Sequence, residues 1–255
     1  MFNLWLVAVV VVAVFVAFFI NGLAGFGAGL ILVPVVVLLF GVRQGVVMGL
    51  FLSLLVGGYL SLLTWKDVDW SVLRPILGGA SLFCWIGALF LSVGEGRWLQ
   101  IGLGGMTMSY GLYLWWVPDE GAWWLVRHYP RKMSLLLGGL SGFLQGVYGT
   151  GGPPIVMLLS QLVRDKRVLR ATLLAYFFVL NGLRVLIVGW LAYVAKSDWG
   201  EGGLGMAGLV GVGMVGPAVL GGLVGVRFQE RLSEVGFRRV VAGILVVSGL
   251  VLLVG

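Results

Sequence analysis

Charge is what this sequence has little of. Asp, Glu, Lys and Arg make up only 11% of it, against about a quarter in soluble domains. So few charges cannot cover a water-facing surface, and lipid must solvate most of the outside. The sole cysteine, Cys84, excludes an internal disulfide and a cysteine-based metal site. The sole histidine, His128, lies in a polar stretch and reads as a surface residue, not a ligand. No carboxylate falls well inside an apolar run. Asp67, Asp69, Glu95, Asp119, Glu120, Asp165, Asp198, Glu201, Glu230 and Glu234 all map to loops or ends. This speaks against a buried carboxylate proton relay and against intramembrane hydrolysis, which needs a buried Ser–His or carboxylate pair. No nucleotide-binding domain is present, and neither enzymatic activity nor a cofactor is expected.

Apolar residues and glycine fill the space that charge leaves. Hydrophobic residues make up 60% of the 255, and 43 are glycine. Glycine is frequent in membrane helices because it lets backbones approach closely. A bilayer span needs about 20 apolar residues. Ten apolar segments meet or approach that pattern: 4–20, 25–40, 44–64, 72–93, 98–117, 134–147, 153–163, 171–195, 204–226 and 237–254. The expectation is an all-α integral membrane protein. The start of the chain lacks a basic n-region and a small-residue cleavage pattern, so it reads as a retained first helix. Segments 6 and 7 are too short to cross alone, and 1 and 2 are marginal. Each pair reads as a broken or re-entrant element.

The net charge of +7 points to membrane orientation, not to nucleic acid, because the basic residues sit in short loops. With ten segments, one side of the membrane receives thirteen of them: Lys66, Arg74, Arg127, Arg131, Lys132, Arg164, Lys166, Arg167, Arg170, Arg227, Arg231, Arg238 and Arg239. Only Arg43, Arg97 and Lys196 fall on the other. Treating each broken pair as one span weakens this asymmetry. The positive-inside rule therefore favours ten segments with both termini outside the cytoplasm. Tryptophans such as Trp65, Trp70, Trp115, Trp116, Trp123, Trp124 and Trp199 cluster at segment ends and read as lipid-interface anchors.

Five segments per half is an odd number, so two such halves have opposite orientations: an inverted repeat. The expected division is a first repeat over 1–117, a cytoplasmic linker over 118–133 and a second repeat over 134–255. The halves also match in sequence. Asn21-Gly22-Leu23-Ala24-Gly25-Phe26-Gly27-Ala28 and Gln145-Gly146-Val147-Tyr148-Gly149-Thr150-Gly151-Gly152 are each an amide followed by G-x-x-G-x-G-small. Arg43 and Arg167 fall at the same offset.

Consecutive glycines let a backbone leave helical geometry. A new helix starts after each break, and its first N–H groups have no intrahelical partner and suit an anion. Pro153 fits a first helical turn, and Thr150 is placed to cap it. If the hairpins enter from opposite faces, both helix N-termini share one cavity, with Asn21, Gly25, Gly27, Ala28, Gly29, Gln145, Gly149, Thr150, Gly151 and Gly152 around it. The competing reading is that the glycines only serve helix packing, and Gly138, Gly142 and Gly146 at four-residue spacing fit that better. Gly213, Gly216, Gly221, Gly222 and Gly225 suit packing within one chain or between two copies of a homo-oligomer.

Arg184 falls near the middle of segment 8, where a charge is costly and usually functional. Either it faces the cavity and pairs with an anion, with Asn181 one turn away, or it binds backbone carbonyls at a break.

The two glycine motifs, each opening a five-segment half, resemble the TauE/SafE family of sulfite exporters, also known as sulfonate uptake permeases. The resemblance covers nearly the whole chain. It rests on Gly22-x-x-Gly25-x-Gly27-Ala28-Gly29 with Pro34, and on Gly146-x-x-Gly149-x-Gly151-Gly152. It implies a small sulfur-containing anion or organic acid as substrate, and a bacterial inner membrane of the Gram-negative type. Two departures bear on cavity size: Ala28 stands where the family often has a third consecutive glycine, and Pro153 and Pro154 come earlier than the usual proline. The leading expectation is a secondary transporter working by alternating access, with membrane lipid and a small anion as partners. An anion channel or passive uniporter is the alternative.

Overall fold

In the computed structural model, residues 4–116, 128–195, 213–228 and 234–254 are described. Among them are ten α-helices and no strand. They are α1 (Leu4–Ala24), α2 (Ala28–Phe40), α3 (Val42–Leu63), α4 (Trp70–Val93), α5 (Gly96–Trp116), α6 (Pro130–Tyr148), α7 (Gly152–Leu162), α8 (Lys166–Ala195), α9 (Val215–Phe228) and α10 (Glu234–Val254). A short 3-10 turn, Trp65–Asp67, links α3 to α4. Asp69 then caps α4, its carboxylate accepting from the Ser71 and Val72 N–H groups. The Ser71 hydroxyl, with those N–H groups, holds the Asp69 carboxyl below its usual range.

Four helices are long and apolar enough to cross a bilayer, over Val7–Ala24, Val42–Leu63, Trp70–Val93 and Lys166–Leu191. Each of the ten apolar segments overlaps one helix, and among the described residues three boundaries differ by four residues or more. Helix α1 runs past residue 20 to Ala24, so it is long enough to span alone. Helix α6 begins at Pro130, inside the stretch read as linker. Helix α8 begins at Lys166, five residues before the apolar run. The reason is common to all three. Backbone hydrogen bonding continues through polar residues at a helix end, whereas a hydropathy reading stops at them. The linker core 118–127, the start of segment 9 at 204–212, and residues such as Trp123, Trp124 and Lys196 lie outside the described residues.

Helix α4 lies along α6, and α9 lies along α1. The crossings depend on glycine. A Cβ at Gly142 or Gly146 would overlap the backbone of Ala80 or Cys84 on α4, and one at Gly22 would overlap Gly222 on α9. Gly221 and Gly225 likewise sit against Phe15 and Phe19 of α1. Gly213 and Gly216 meet nothing within 4 Å. With no water to expel between lipid-bathed helices, this close backbone approach supplies much of the packing energy. Helices α3 and α8 pack against each other at the centre, and α5 packs along α10.

Candidate functional site

The two sequence breaks begin alike and end differently, with Gly27 at φ 103° before α2 and Gly151 at φ −69° before α7. Helix α1 ends with Gly25 at φ 81°, its N–H donating to the Asn21 carbonyl over 2.8 Å. Helix α6 ends with Gly149 at φ 74°, its N–H donating to the Gln145 carbonyl over 2.9 Å. Both are left-handed glycine caps, a conformation that a side chain disfavours. The break in the first half is shorter than the motif. Asn21 and Gly22 remain inside α1, and the chain leaves helical geometry only at Gly25, Phe26 and Gly27.

The two breaks meet. A Cβ on Gly29 would overlap the Gly149 carbonyl oxygen, and one on Gly152 would lie 3.2 Å from the Phe26 ring. Between them is a cavity of about 30 Å3, room for about two waters. Nine of the twelve residues singled out from the sequence line it: Asn21, Gly27, Ala28, Gly29, Gln145, Gly149, Thr150, Gly152 and Asn181. Gly25, Gly151 and Arg184 do not. Gly25 is pressed against the Arg170 backbone and side-chain stem of α8. Gly151 is held by Gln145 and receives the Ser141 hydroxyl on its carbonyl.

Sequence reasoning missed five wall residues: Leu30, Ser53, Gly57, Leu174 and Phe177. A signal for one of them, Gly57, was available from Asn181. The offset that takes Asn21 to Gln145 also takes Ala28 to Gly152, Ser53 to Phe177 and Gly57 to Asn181. All eight line the cavity.

Hydrogen bonds fix which atoms face the space. Gly151 N–H donates to Gln145 Oε1 over 2.9 Å, so Gln145 must turn its nitrogen the other way. That Nε2 donates to Asn181 Oδ1 over 2.8 Å. Asn181 is left with Nδ2, a donor only, which bonds nothing among the described residues. Thr150 Oγ1 is buried with no hydrogen-bond partner.

Helix α2 adds backbone donors. Its first intrahelical closure is Ile31 N–H to Gly27 O, which leaves the N–H groups of Ala28, Gly29 and Leu30 at its start unpaired. Helix α7 contributes less than a helix N-terminus usually does. Pro153 and Pro154 follow Gly152 and carry no N–H. The carboxylates Asp67, Asp69, Glu95 and Asp165 are all at helix ends or turns, away from the cavity wall.

Arg184 is 1% exposed. Its Nε donates to the Gly146 carbonyl over 3.0 Å and its Nη2 to the Val147 carbonyl over 3.2 Å. These belong to the last turn of α6, where carbonyls lack helical partners and carry partial negative charge. Its Nη1 has no hydrogen-bond partner and lies beside Gly149. No carboxylate pairs with Arg184 among the described residues. A full positive charge therefore sits immediately behind the second break.

The sequence model described as "Sulfite exporter TauE/SafE" matches residues 10–252. The chain belongs to that family. TauE/SafE proteins are membrane transporters and not enzymes. Among curated relatives, the "Probable inner membrane transporter protein TsaS" of Comamonas testosteroni is 25% identical over 78% of this chain and 76% of its own. The "Probable sulfite/organosulfonate exporter TauE" of Cupriavidus necator is 25% identical over 72% of this chain and 68% of its own. No solved structure matches the chain. The two motifs that carried the resemblance are thus the two breaks that build this TauE/SafE cavity.

Proposed function

We propose that this chain is a secondary transporter of small sulfur oxyanions, sulfite or organosulfonates, binding them between the two breaks. The observation that carries the reading is the chemistry of the cavity wall. Its unbonded polar groups can all donate: Asn181 Nδ2, the Thr150 and Ser53 hydroxyls, the first N–H groups of α2 and the Asn21 amide, whose oxygen is also an acceptor. No carboxylate lines it among the described residues. Arg184 adds positive charge without a carboxylate partner, and a buried charge left unpaired is expensive. An arriving anion meets donors and relieves that cost. The relatives' names, one of them an exporter of sulfite and organosulfonates, support the substrate class.

The halves are read as inverted repeats over 1–117 and 134–255, joined by a cytoplasmic linker, in a bacterial inner membrane with both termini outside. Reciprocal packing of α4 on α6 and of α9 on α1 supports the repeat, as does the single offset relating the cavity residues. The name of the Comamonas testosteroni relative supports the inner membrane. A cavity holding about two waters must widen before an oxyanion enters. Rocking one repeat against the other would open it alternately to each side.

Uptake of labelled sulfite and of short alkanesulfonates into proteoliposomes tests the reading. Saturable uptake with mutual competition is expected. Flux that rises linearly with concentration would favour the channel alternative, and no flux of any of these anions would overturn both.

A further inference from the structure

The cavity has one wall built of larger side chains and one, on α3, that carries only Ser53 and Gly57. On α8, Leu174, Phe177 and Asn181 fall on one helical face and project a phenyl ring and an amide into the site. The matching positions on α3 are Ser53 and Gly57. Both line the cavity and are half-buried. A Cβ on Gly57 would meet no heavy atom within 4 Å, so the residue borders open space. Its glycine serves no close helix crossing, unlike Gly58 next to it, where a Cβ would lie 2.8 Å from the Phe178 ring. Gly57 is also not a turn residue: it lies within α3 and its φ is not positive. Neither packing nor backbone conformation accounts for glycine at this position.

We propose that Gly57 determines the size of solute the cavity accepts. Most of the donors lie on α2, Thr150 and Asn181, and α3 adds only the Ser53 hydroxyl, one turn from Gly57. The oxyanion end of a solute is held by the first three, and the space over Gly57 receives whatever the sulfur carries, the alkyl group of a sulfonate. This inference rests on the transport reading above and names the residue that would set its substrate range.

The test compares Gly57→Ala and Gly57→Leu with wild type in proteoliposomes, using sulfite and then methane-, ethane- and butanesulfonate. Filling the space should lower uptake of all four, and unequally. The ratio of kcat/KM for butanesulfonate to that for sulfite should fall about tenfold or more in Gly57→Leu, the scale on which a steric wall discriminates alkyl groups. Gly57→Ala should fall between wild type and Gly57→Leu. Gly78→Leu on α4 is the matched control, because Gly78 also borders open space but is not part of the cavity wall. It should leave the ratio unchanged. Thermal melting of each variant in detergent separates misfolding from altered selectivity. An unchanged ratio in folded Gly57→Leu overturns the inference and leaves the transport reading standing. A wild type that moves sulfite but no alkanesulfonate also overturns it. A wild type that moves nothing overturns both.

Discussion

Arg184→Met is expected to insert and fold yet to lose about 100- to 1,000-fold in anion uptake, the scale on which removing one preorganised electrostatic partner acts. The two effects separate because the arginine does two things. Removing it strands the carbonyls of Gly146 and Val147, at about 1–3 kcal/mol for each buried acceptor left unpaired. It also removes a buried charge that has no carboxylate partner among the described residues, which relieves a desolvation cost of several kcal/mol. Methionine keeps much of the volume, so these terms largely offset and the melting temperature moves little. Nothing offsets the lost positive charge behind Gly149. Arg184→Lys restores the charge but replaces a planar fork that reaches two carbonyls with a single ammonium. It should recover part of the uptake. Initial uptake rates and melting curves on the same preparations check both statements. Full uptake in Arg184→Met would show that the charge plays no part in transport.

Gly29→Ala should be nearly as damaging, for a steric reason. The new methyl would overlap the Gly149 carbonyl oxygen. That oxygen is backbone and cannot swing aside as a flexible side chain would, because Gly149 is pinned in its left-handed cap. The two breaks must part, or the methyl must strain. Overpacking of this kind costs about 1–3 kcal/mol. Misplacing binding groups by about 1 Å costs on the order of 100-fold in rate, so uptake should fall by that much. Gly96→Ala, where a methyl meets nothing, should leave uptake at the wild-type level. Uptake assays of the two variants, normalised to inserted protein, make the comparison. Equal uptake in both would mean that contact between the breaks is incidental.

Much of this architecture is legible in the sequence because lipid imposes a simple rule: apolar runs become helices. The ends are less legible, as α6 and α8 illustrate, since Arg131, Lys132, Lys166 and Arg167 extend helices into the interface. The breaks were found because glycine clusters recur with an amide at the same place in each half. Gly22 and Gly146 belonged to the motif but serve helix packing. Composition cannot distinguish a glycine that frees the backbone from one that admits a neighbour. Ser53 and Gly57 carried no signal of their own, being small residues on an apolar helix. Only the repeat offset, applied to Asn181, points to Gly57, and Ser53 is reached only through Phe177, which was hidden as well. The hydrogen-bond chain from Gly151 through Gln145 to Asn181 was equally hidden, because it depends on tertiary placement of three distant residues.

Selenite has the shape and charge of sulfite and scatters X-rays anomalously. A crystal structure of the protein soaked with selenite locates the bound anion directly. The expected result is one selenium peak in the cavity lined by Ala28, Thr150 and Asn181, with oxygens in hydrogen-bonding reach of the α2 N–H groups and Asn181 Nδ2. A protein that transports selenite yet holds it elsewhere, with the space between the two breaks empty, would contradict the account.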